Sequence, residues 1–471
     1  MSRLALAALL VLPVLLCAGP ALGGAGGPKR FRAGAAAGNI TPPLGASLDG
    51  IILRQGPIEG IHDDLFARAL ALDDGTTQLA ICVCDLCMIP RPLLDAAKAI
   101  ASKRTGMPAS HMLVSATHTH SAPRIGCGRG ELDKQYYPFL TRRIADAIAR
   151  AVHNLADAEA AWGVVPIPEF PKNRRTLIDP AKAPINPFDQ KTDRAWMYGS
   201  RRGLGTEAAG PTDPGLSVLS VQTTGGDPIA LLGNYSIHYV TTMGRQVSAD
   251  YFGWFCRQVE AKMGEPTRVP PFVAIMSNGT FGDTGGVGGG YAKVKYVGSR
   301  IADAAVQLHK TFRHRKDITL AVKEMELELG VRRPDAERLA WAKGVLAEKG
   351  KPGKKRHGWR RIYAQQTVEL SEWPPTVKIK LQALRIGDLG IAAIPCEPFA
   401  ETGLAIKKDS PLKPTFTIGL ANGYHGYLPT PRDHELGGYE TWTGLGSHLE
   451  VQAEPKIRAA VLDLLRQVAD Q

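Results

Sequence analysis

Short apolar runs alternate with amphipathic stretches along most of the chain. Phe66 to Leu72 and Gln78 to Cys84 read as two strands paired across the turn Asp73-Asp74-Gly75, because apolar runs bounded by turn residues fit buried strands. Pro92 to Thr105 reads as a helix, with Leu93, Leu94, Ala97 and Ile100 spaced for one face. Pro92 suits a first turn, where no backbone donor is needed, and Gly106 suits the cap that ends it. His111-Met-Leu-Val114 opens the next strand, which runs on through His118 and His120 towards Ser121-Ala-Pro123. Tyr136 to Leu155 is a clearer helix, its stripe made by Leu140, Ile144, Ala147, Ile148 and Ala151.

The second half repeats the alternation. Leu216 to Thr223 and Ile229 to His238 pair around Gly225-Gly-Asp-Pro228, and a helix starts at Ser248-Ala-Asp250. Phe272 to Met276 is a buried strand that opens into a glycine-rich loop, Gly282 to Gly290. Pro334 to Lys349 is an amphipathic helix, Val377 to Ile386 and Leu389 to Ile394 form a hairpin around Gly387-Asp388, and His448 to Val468 closes the chain as a helix. Strands and helices alternating at these lengths predict an α/β fold, a layered mixed β-sheet flanked by helices. No linker or repeat divides the chain, so residues 31–471 read as a single large domain.

Residues 1–23 carry one arginine, no acid, an apolar run from Leu4 to Leu16, and small residues near Ala21-Leu-Gly23. That is the pattern of a cleaved signal peptide. It predicts a secreted or periplasmic protein, with residues 24–30 as a flexible lead. The net charge of +12 is concentrated locally, since residues 349–361 hold seven Lys/Arg and no acid. A solvated loop is the plain reading of such a run. If it binds anything, an anionic membrane surface or polysaccharide fits an exported protein, and nucleic acid does not. Cys82, Cys84 and Cys87 lie in or just after an apolar strand, where cysteine packs as a small hydrophobe.

The candidate chemistry lies at strand ends. His118 and His120, two apart on a strand, would face the same way, which suits a metal site or one ligand beside one general base. His238 and Glu397, the latter set between Cys396 and Pro398, close two other strands. Two imidazoles and a carboxylate with room for water make a catalytic zinc ligand set, and zinc there would lower a bound water's pKa towards ~7. The glycine-rich loop lacks the Gly-Lys-Ser/Thr of a P-loop and the GxGxxG register. Its glycines fit close approach of backbone to a substrate.

From Asn39-Ile-Thr-Pro-Pro-Leu-Gly45, through Thr117-His-Thr-His-Ser-Ala-Pro123, to the block from Tyr427 to Glu440, the chain resembles the catalytic domain of the neutral/alkaline, non-lysosomal ceramidases. The resemblance implies Zn2+ held by His118, His238, Glu397 and Tyr427. It implies His120 as the residue that handles protons, with Arg174 and Tyr439 binding substrate and the oxyanion. It implies a zinc hydrolase that cleaves the N-acyl amide of a sphingoid lipid. The chain departs from the family in three places. Gly282-Asp283-Thr284-Gly285 lacks a serine, Cys396 stands where glycine is usual, and His434 replaces a tyrosine. It also stops short of the β-rich C-terminal domain found on ceramidases. Two other readings remain: a zinc hydrolase of another small amide or ester, or a metal-stabilised binding protein without turnover. A serine hydrolase is disfavoured, since no Gly-x-Ser-x-Gly elbow occurs.

Overall fold

The structure, a computed structural model, describes residues 30–48, 55–123, 125, 130–348 and 358–471. The signal-peptide reading, Cys127 and the basic stretch 349–357 lie outside those residues. Eight strands form one mixed sheet in the order Val273–Asn278, Pro228–Tyr235, Gly215–Thr223, Ala156–Pro166, Arg32–Asn39, Phe66–Asp73, Gln78–Cys84 and Met112–Ala116. The end pairs are parallel and the inner ones antiparallel. A second sheet of four, Leu320–Gly330, Thr376–Ile386, Leu389–Ala393 and Thr415–Ile418, lies against it.

Side-chain alternation sets the layers. In Phe66–Asp73 and Gln78–Cys84 the odd set Leu79, Ile81, Val83 and the even pair Leu70, Leu72 enter the core shared with the second sheet, with Leu384, Ile391 and Phe416. The opposite set, Ala67, Ala69, Ala71, Ala80, Cys82 and Cys84, faces the helices Arg91–Thr105 and Glu131–His153. Small residues there let the helices come close. At Gly34 an added Cβ would sit 2.3 Å from the Ala151 carbonyl oxygen. Helices Asp250–Met263 and Gly290–His309 cover the other end of the large sheet, and Ala453–Ala469 covers the outer face of the small one. The expected layered α/β fold is present, with the second sheet as an added inner layer.

The large sheet curls until the ends of its two edge strands meet. Asn278, at the end of one edge, donates from Nδ2 to the Thr117 carbonyl just past the other, at 3.0 Å. This contact places His118 and His238 in one neighbourhood, although their strands are far apart in sheet order.

Several boundaries differ from the sequence expectation. The helix expected from Tyr136 starts at Glu131, because Asp133 accepts the Gly130 N–H at 3.1 Å and fixes the first turn. The closing helix starts at Ala453 rather than His448, since the His448 carbonyl and Glu450 N–H are hydrogen-bonded to Arg332 and Gly330 at the end of a strand. Residues 359–361, expected in a solvated loop, open the helix Trp359–Ser371. Arg360 there binds Asp189 and Glu348, and Arg361 donates to the carbonyls of Val345 and Leu346. Among the described residues no helix is long and apolar enough to cross a membrane.

A buried polar knot ties both sheets to the chain that follows Ile418. Asn422, at φ 63°, accepts from Lys98 Nζ at 2.7 Å and Val114 N at 3.2 Å, and donates to Gln382 Oε1 at 3.0 Å. Burial pulls the Lys98 ammonium down to about 8. Between about pH 8 and the ordinary lysine value of ~10.4 the unfolded chain therefore binds a proton that the folded one does not, so stability rises with pH across that window. Relative to Lys98→Met, the wild-type protein should gain about 2–3 kcal/mol of unfolding free energy between pH 8 and 10.5. Denaturant titrations of both proteins at those two pH values read the difference. Parallel pH profiles would show that Lys98 stays protonated.

Candidate metal centre

His118 and His120 come together by a different route from the one alternation predicted. The strand ends at Ala116, and both histidines lie in the loop beyond it. Thr117 N–H and His118 N–H are held by the Cys84 and Leu86 carbonyls at 2.9 Å each, with His118 at φ 73°. The loop still brings the two Nε2 atoms to 3.1 Å. His238 lies three residues past Tyr235, the end of its strand, and its Nε2 is 3.1 Å from that of His118. Glu397 comes from a two-residue strand paired in parallel with Tyr427–Leu428, and its Oε2 lies 3.4 Å from His118 Nε2. His118, His238 and Glu397 are all buried, at 2%, 0% and 1% exposure.

The second ring nitrogens decide which atoms face inward. His118 Nδ1 lies 2.8 Å from the Cys87 carbonyl, and His238 Nδ1 lies 3.3 Å from the Phe281 carbonyl. A carbonyl can only accept, so each Nδ1 carries the proton and each Nε2 presents a lone pair. Two such lone pairs 3.1 Å apart repel unless something positive lies beside them. Glu397 Oε2 adds a third acceptor, and it is buried without a hydrogen-bond partner. Ligands ~2.0–2.1 Å from a tetrahedral metal lie about 3.3 Å from one another, and the observed 3.1 and 3.4 Å bracket that spacing. The three donor atoms lie within 4.8 Å of one another and could hold a metal ion. Cys87, His118 and His120 form a second such group, but the Cys87 Sγ lies 3.7 Å from His118 Nδ1, the nitrogen already committed to a carbonyl.

His120 stands to one side of the three. Its ring stacks on Tyr239 with centroids 3.8 Å apart, and its Nδ1 is buried without a partner. Burial, then His118 and Arg174, push the His120 imidazole well below its ordinary value, which keeps the ring neutral. Burial and Arg174 do the same to His238, which keeps it in the form a metal binds.

The two neighbouring arginines divide their work. Arg174 reaches the site, with Nη1 3.3 and 3.4 Å from the two nitrogens of His238 and Nε donating to Glu440 Oε1 at 2.7 Å. Arg175 turns away, to Glu440 Oε2 and the Gly437 carbonyl. Tyr427 and Tyr439 pack with rings 5.6 Å apart, and the Arg174 guanidinium lies 5.4 Å from the Tyr427 ring centre and 6.0 Å from that of Tyr439. Burial, followed by Arg174 acting in the opposite direction, leaves the Tyr439 hydroxyl pushed up to about 12.

Five positioning residues were not singled out from the sequence. Tyr424 donates to Glu397 Oε1 at 3.1 Å, which leaves Oε2 as the free oxygen. Asn278 holds the Thr117 carbonyl at 3.0 Å and that of His238 at 3.5 Å. Glu440, wholly buried, joins the two arginines. The Cys87 carbonyl orients His118. Asp283 accepts from Asn173 Nδ2 at 2.7 Å and Ala400 N–H at 2.9 Å, tying the arginine segment to the chain after Glu397. Two of them had a signal: Asp283 is the one acid of the loop Gly282 to Gly290, and Glu440 ends the block that begins at Tyr427.

The glycine loop serves the centre rather than only a substrate. The Gly282 N–H donates to the Pro398 carbonyl at 2.9 Å, and a Cβ there would lie 2.3 Å from the Glu397 carbonyl oxygen. Thr284 is buried, and its hydroxyl donates at 2.8 Å to the Phe281 carbonyl, the same carbonyl that orients His238.

No protein-family model matches the chain, and no curated protein matches it. Solved structures do. The crystal structure of neutral ceramidase from Pseudomonas aeruginosa matches with a TM-score of 0.67 at 16% identity, over 94% of this chain and 75% of that one. A ceramidase complexed with C2 matches with a TM-score of 0.66 at 15% identity, over 94% of this chain and 76% of that one. At such identity the likeness is one of fold, and the fold is that of neutral ceramidase.

Gly282→Ala should therefore cost about 1–3 kcal/mol of stability by overpacking and lower metal content as Glu397 is displaced. Gly288→Ala is the control. It has φ 73° but open space around it, so it should cost about 1–2 kcal/mol in backbone strain and leave metal binding intact. Equal metal content in the two purified variants would show that Gly282 does not set the ligand.

Proposed function

We propose that this protein is a zinc-dependent amidohydrolase that cleaves the N-acyl amide of a lipid, with N-acyl sphingoid lipids as the class that the ceramidase fold points to. The observation that carries the reading is the inward-facing set of His118 Nε2, His238 Nε2 and the unpartnered Glu397 Oε2, with neutral His120 beside it. Tyr427, whose backbone pairs with that of Glu397, completes the set we propose for zinc. Zinc, when bound, supplies Lewis-acid polarisation of a carbonyl and lowers the pKa of water.

The chain's own residues do the rest. His120, neutral and stacked on Tyr239, accepts a proton from water and returns it to the leaving amine nitrogen. Arg174, fixed by Glu440, and Tyr439, protonated to about pH 12, donate to the acyl oxygen as negative charge grows on it. Beside Tyr439 lies a cavity of about 480 Å3 whose walls include Trp196, Met197, Trp359 and Trp442. A mainly aromatic cavity of this size, with Arg202 and the Arg360–Asp189 ion pair also in its lining, suits a single acyl chain, and it favours a lipid over a small polar amide. Residues 1–23 would direct the protein out of the cytoplasm, where such lipids are met at membrane surfaces.

Loss of a ligand and loss of the proton carrier should be separable. His118→Ala should lose zinc and activity together, whereas His120→Ala should keep zinc and lose roughly 10²–10⁴-fold in turnover. Zinc analysis and amide-hydrolysis assays on the same preparations decide it, and a zinc-free His120→Ala would exchange the two roles.

Thr284 stands where the ceramidases carry a serine nearby, but its hydroxyl is engaged with the Phe281 carbonyl. Thr284→Ala should therefore keep at least a tenth of the activity, a barrier change below about 1.4 kcal/mol. A thousandfold loss with zinc retained would make Thr284 a catalytic group.

A further inference from the structure

On the other side of Tyr198 from the aromatic cavity lies a second cavity, of about 520 Å3. Its lining includes Lys172, Arg174, Arg201 and Lys293, against the single acid Glu169. Glu169 is engaged elsewhere, its Oε2 3.5 Å from Arg300 and its Oε1 accepting from Tyr296 at 3.4 Å. The cations are not neutralised by it. Lys293 Nζ lies 4.3 Å from the Tyr296 ring centre, and the Arg201 guanidinium lies 4.4 Å from that of Tyr198. At the inner end Arg174 is 5% exposed, and its Nη2 is buried without a partner. That nitrogen is a charged donor withdrawn from water with nothing to donate to, and such a group is costly to leave so.

Tyr198 forms a fixed wall between the two cavities. Its N–H donates to the Arg174 carbonyl at 2.7 Å, and its hydroxyl accepts the Gly286 N–H at 3.0 Å. One cavity is thus mainly aromatic, with Arg202 and the Arg360–Asp189 ion pair also in its lining, the other carries an excess of cations, and Arg174 links the latter to the histidines. An amide cleaved at this centre has two halves, and the two cavities differ in what they would hold.

We infer that the substrate's amine half carries an anionic group, a carboxylate or a phosphate, in place of the uncharged head of a plain sphingoid base, seated among Lys172, Arg201, Lys293 and Arg174, while the acyl chain takes the aromatic cavity. Planar guanidinium and ammonium donors together suit either anion. The inference rests on the amidohydrolase reading for the direction of the substrate, but the cavity's charge selectivity can be measured without turnover.

Three probes share one acyl chain: N-decanoylglycine, N-decanoyl-O-phosphoethanolamine and uncharged N-decanoylethanolamine. Binding is measured by calorimetry on zinc-loaded His120→Ala, where slow turnover leaves the titration readable, and hydrolysis is measured on the wild-type protein. At least one anionic probe should bind ten times or more tightly than the uncharged one, with the advantage falling as salt rises. Which anion leads identifies the carboxylate or phosphate source. Exchanging the outer cations in Lys172→Gln/Lys293→Gln should shrink the anionic advantage about tenfold with zinc content unchanged. Equal affinities, or an advantage that the double variant retains in full, would overturn the inference. Charge-selective binding without any amide cleavage would uphold the anion site and sink the hydrolase reading. Cleavage of all three probes without charge preference would do the reverse.

Discussion

Three buried acceptor atoms converge on one point, and the surrounding structure is arranged to keep them there. Left to themselves, the Nε2 lone pairs of His118 and His238 and the free oxygen of Glu397 would separate or take up protons. Instead the Cys87 and Phe281 carbonyls hold the outer protons of both rings, and Tyr424 occupies the other oxygen of Glu397. Burial and Arg174 keep His238 from protonating. Arg174 Nη1 lies 3.4 Å from His238 Nε2 and His120 Nε2 lies 3.1 Å from His118 Nε2, but Glu397 Oε2 is left without a partner, and a cation at the centre would satisfy all three acceptors.

The fold supplies this convergence through curvature. His118 follows one edge strand of the large sheet, and His238 follows the neighbour of the other edge. A flat sheet would hold them several strand spacings apart, at ~4.8 Å each. The curl lets Asn278 reach both the Thr117 and His238 carbonyls. Glu397 arrives from the second sheet, and Gly282 lets its backbone pass. Three separate parts of the chain are thereby brought together by hydrogen bonds to backbone carbonyls and by close backbone approach, before any ligand is considered.

Much of this was legible in the sequence, and the limits have physical reasons. Strand and helix identities followed from apolar periodicity, and the turns at Gly75, Gly106 and Gly387 followed from glycine placement. The curling could not be read, because no residue pattern states how far a sheet twists. His118 and His120 do come together, but a loop with His118 at φ 73° brings them there in place of strand alternation, and no local pattern distinguishes the two routes. Arg174 and Arg175 are neighbours in sequence and differ only in which way each turns, which tertiary contacts decide. Tyr424 and Asn278 act through single hydrogen bonds to groups remote in sequence, and composition carries no trace of such bonds.

The most direct test of the convergence is X-ray absorption spectroscopy of the purified protein with its metal content measured in parallel. The account predicts one zinc per chain, with imidazole nitrogens and oxygens at about 2.0–2.2 Å and no sulfur neighbour. A zinc–sulfur distance near 2.3 Å would move the metal to Cys87. A protein that folds and holds no stoichiometric metal would contradict the account at its centre.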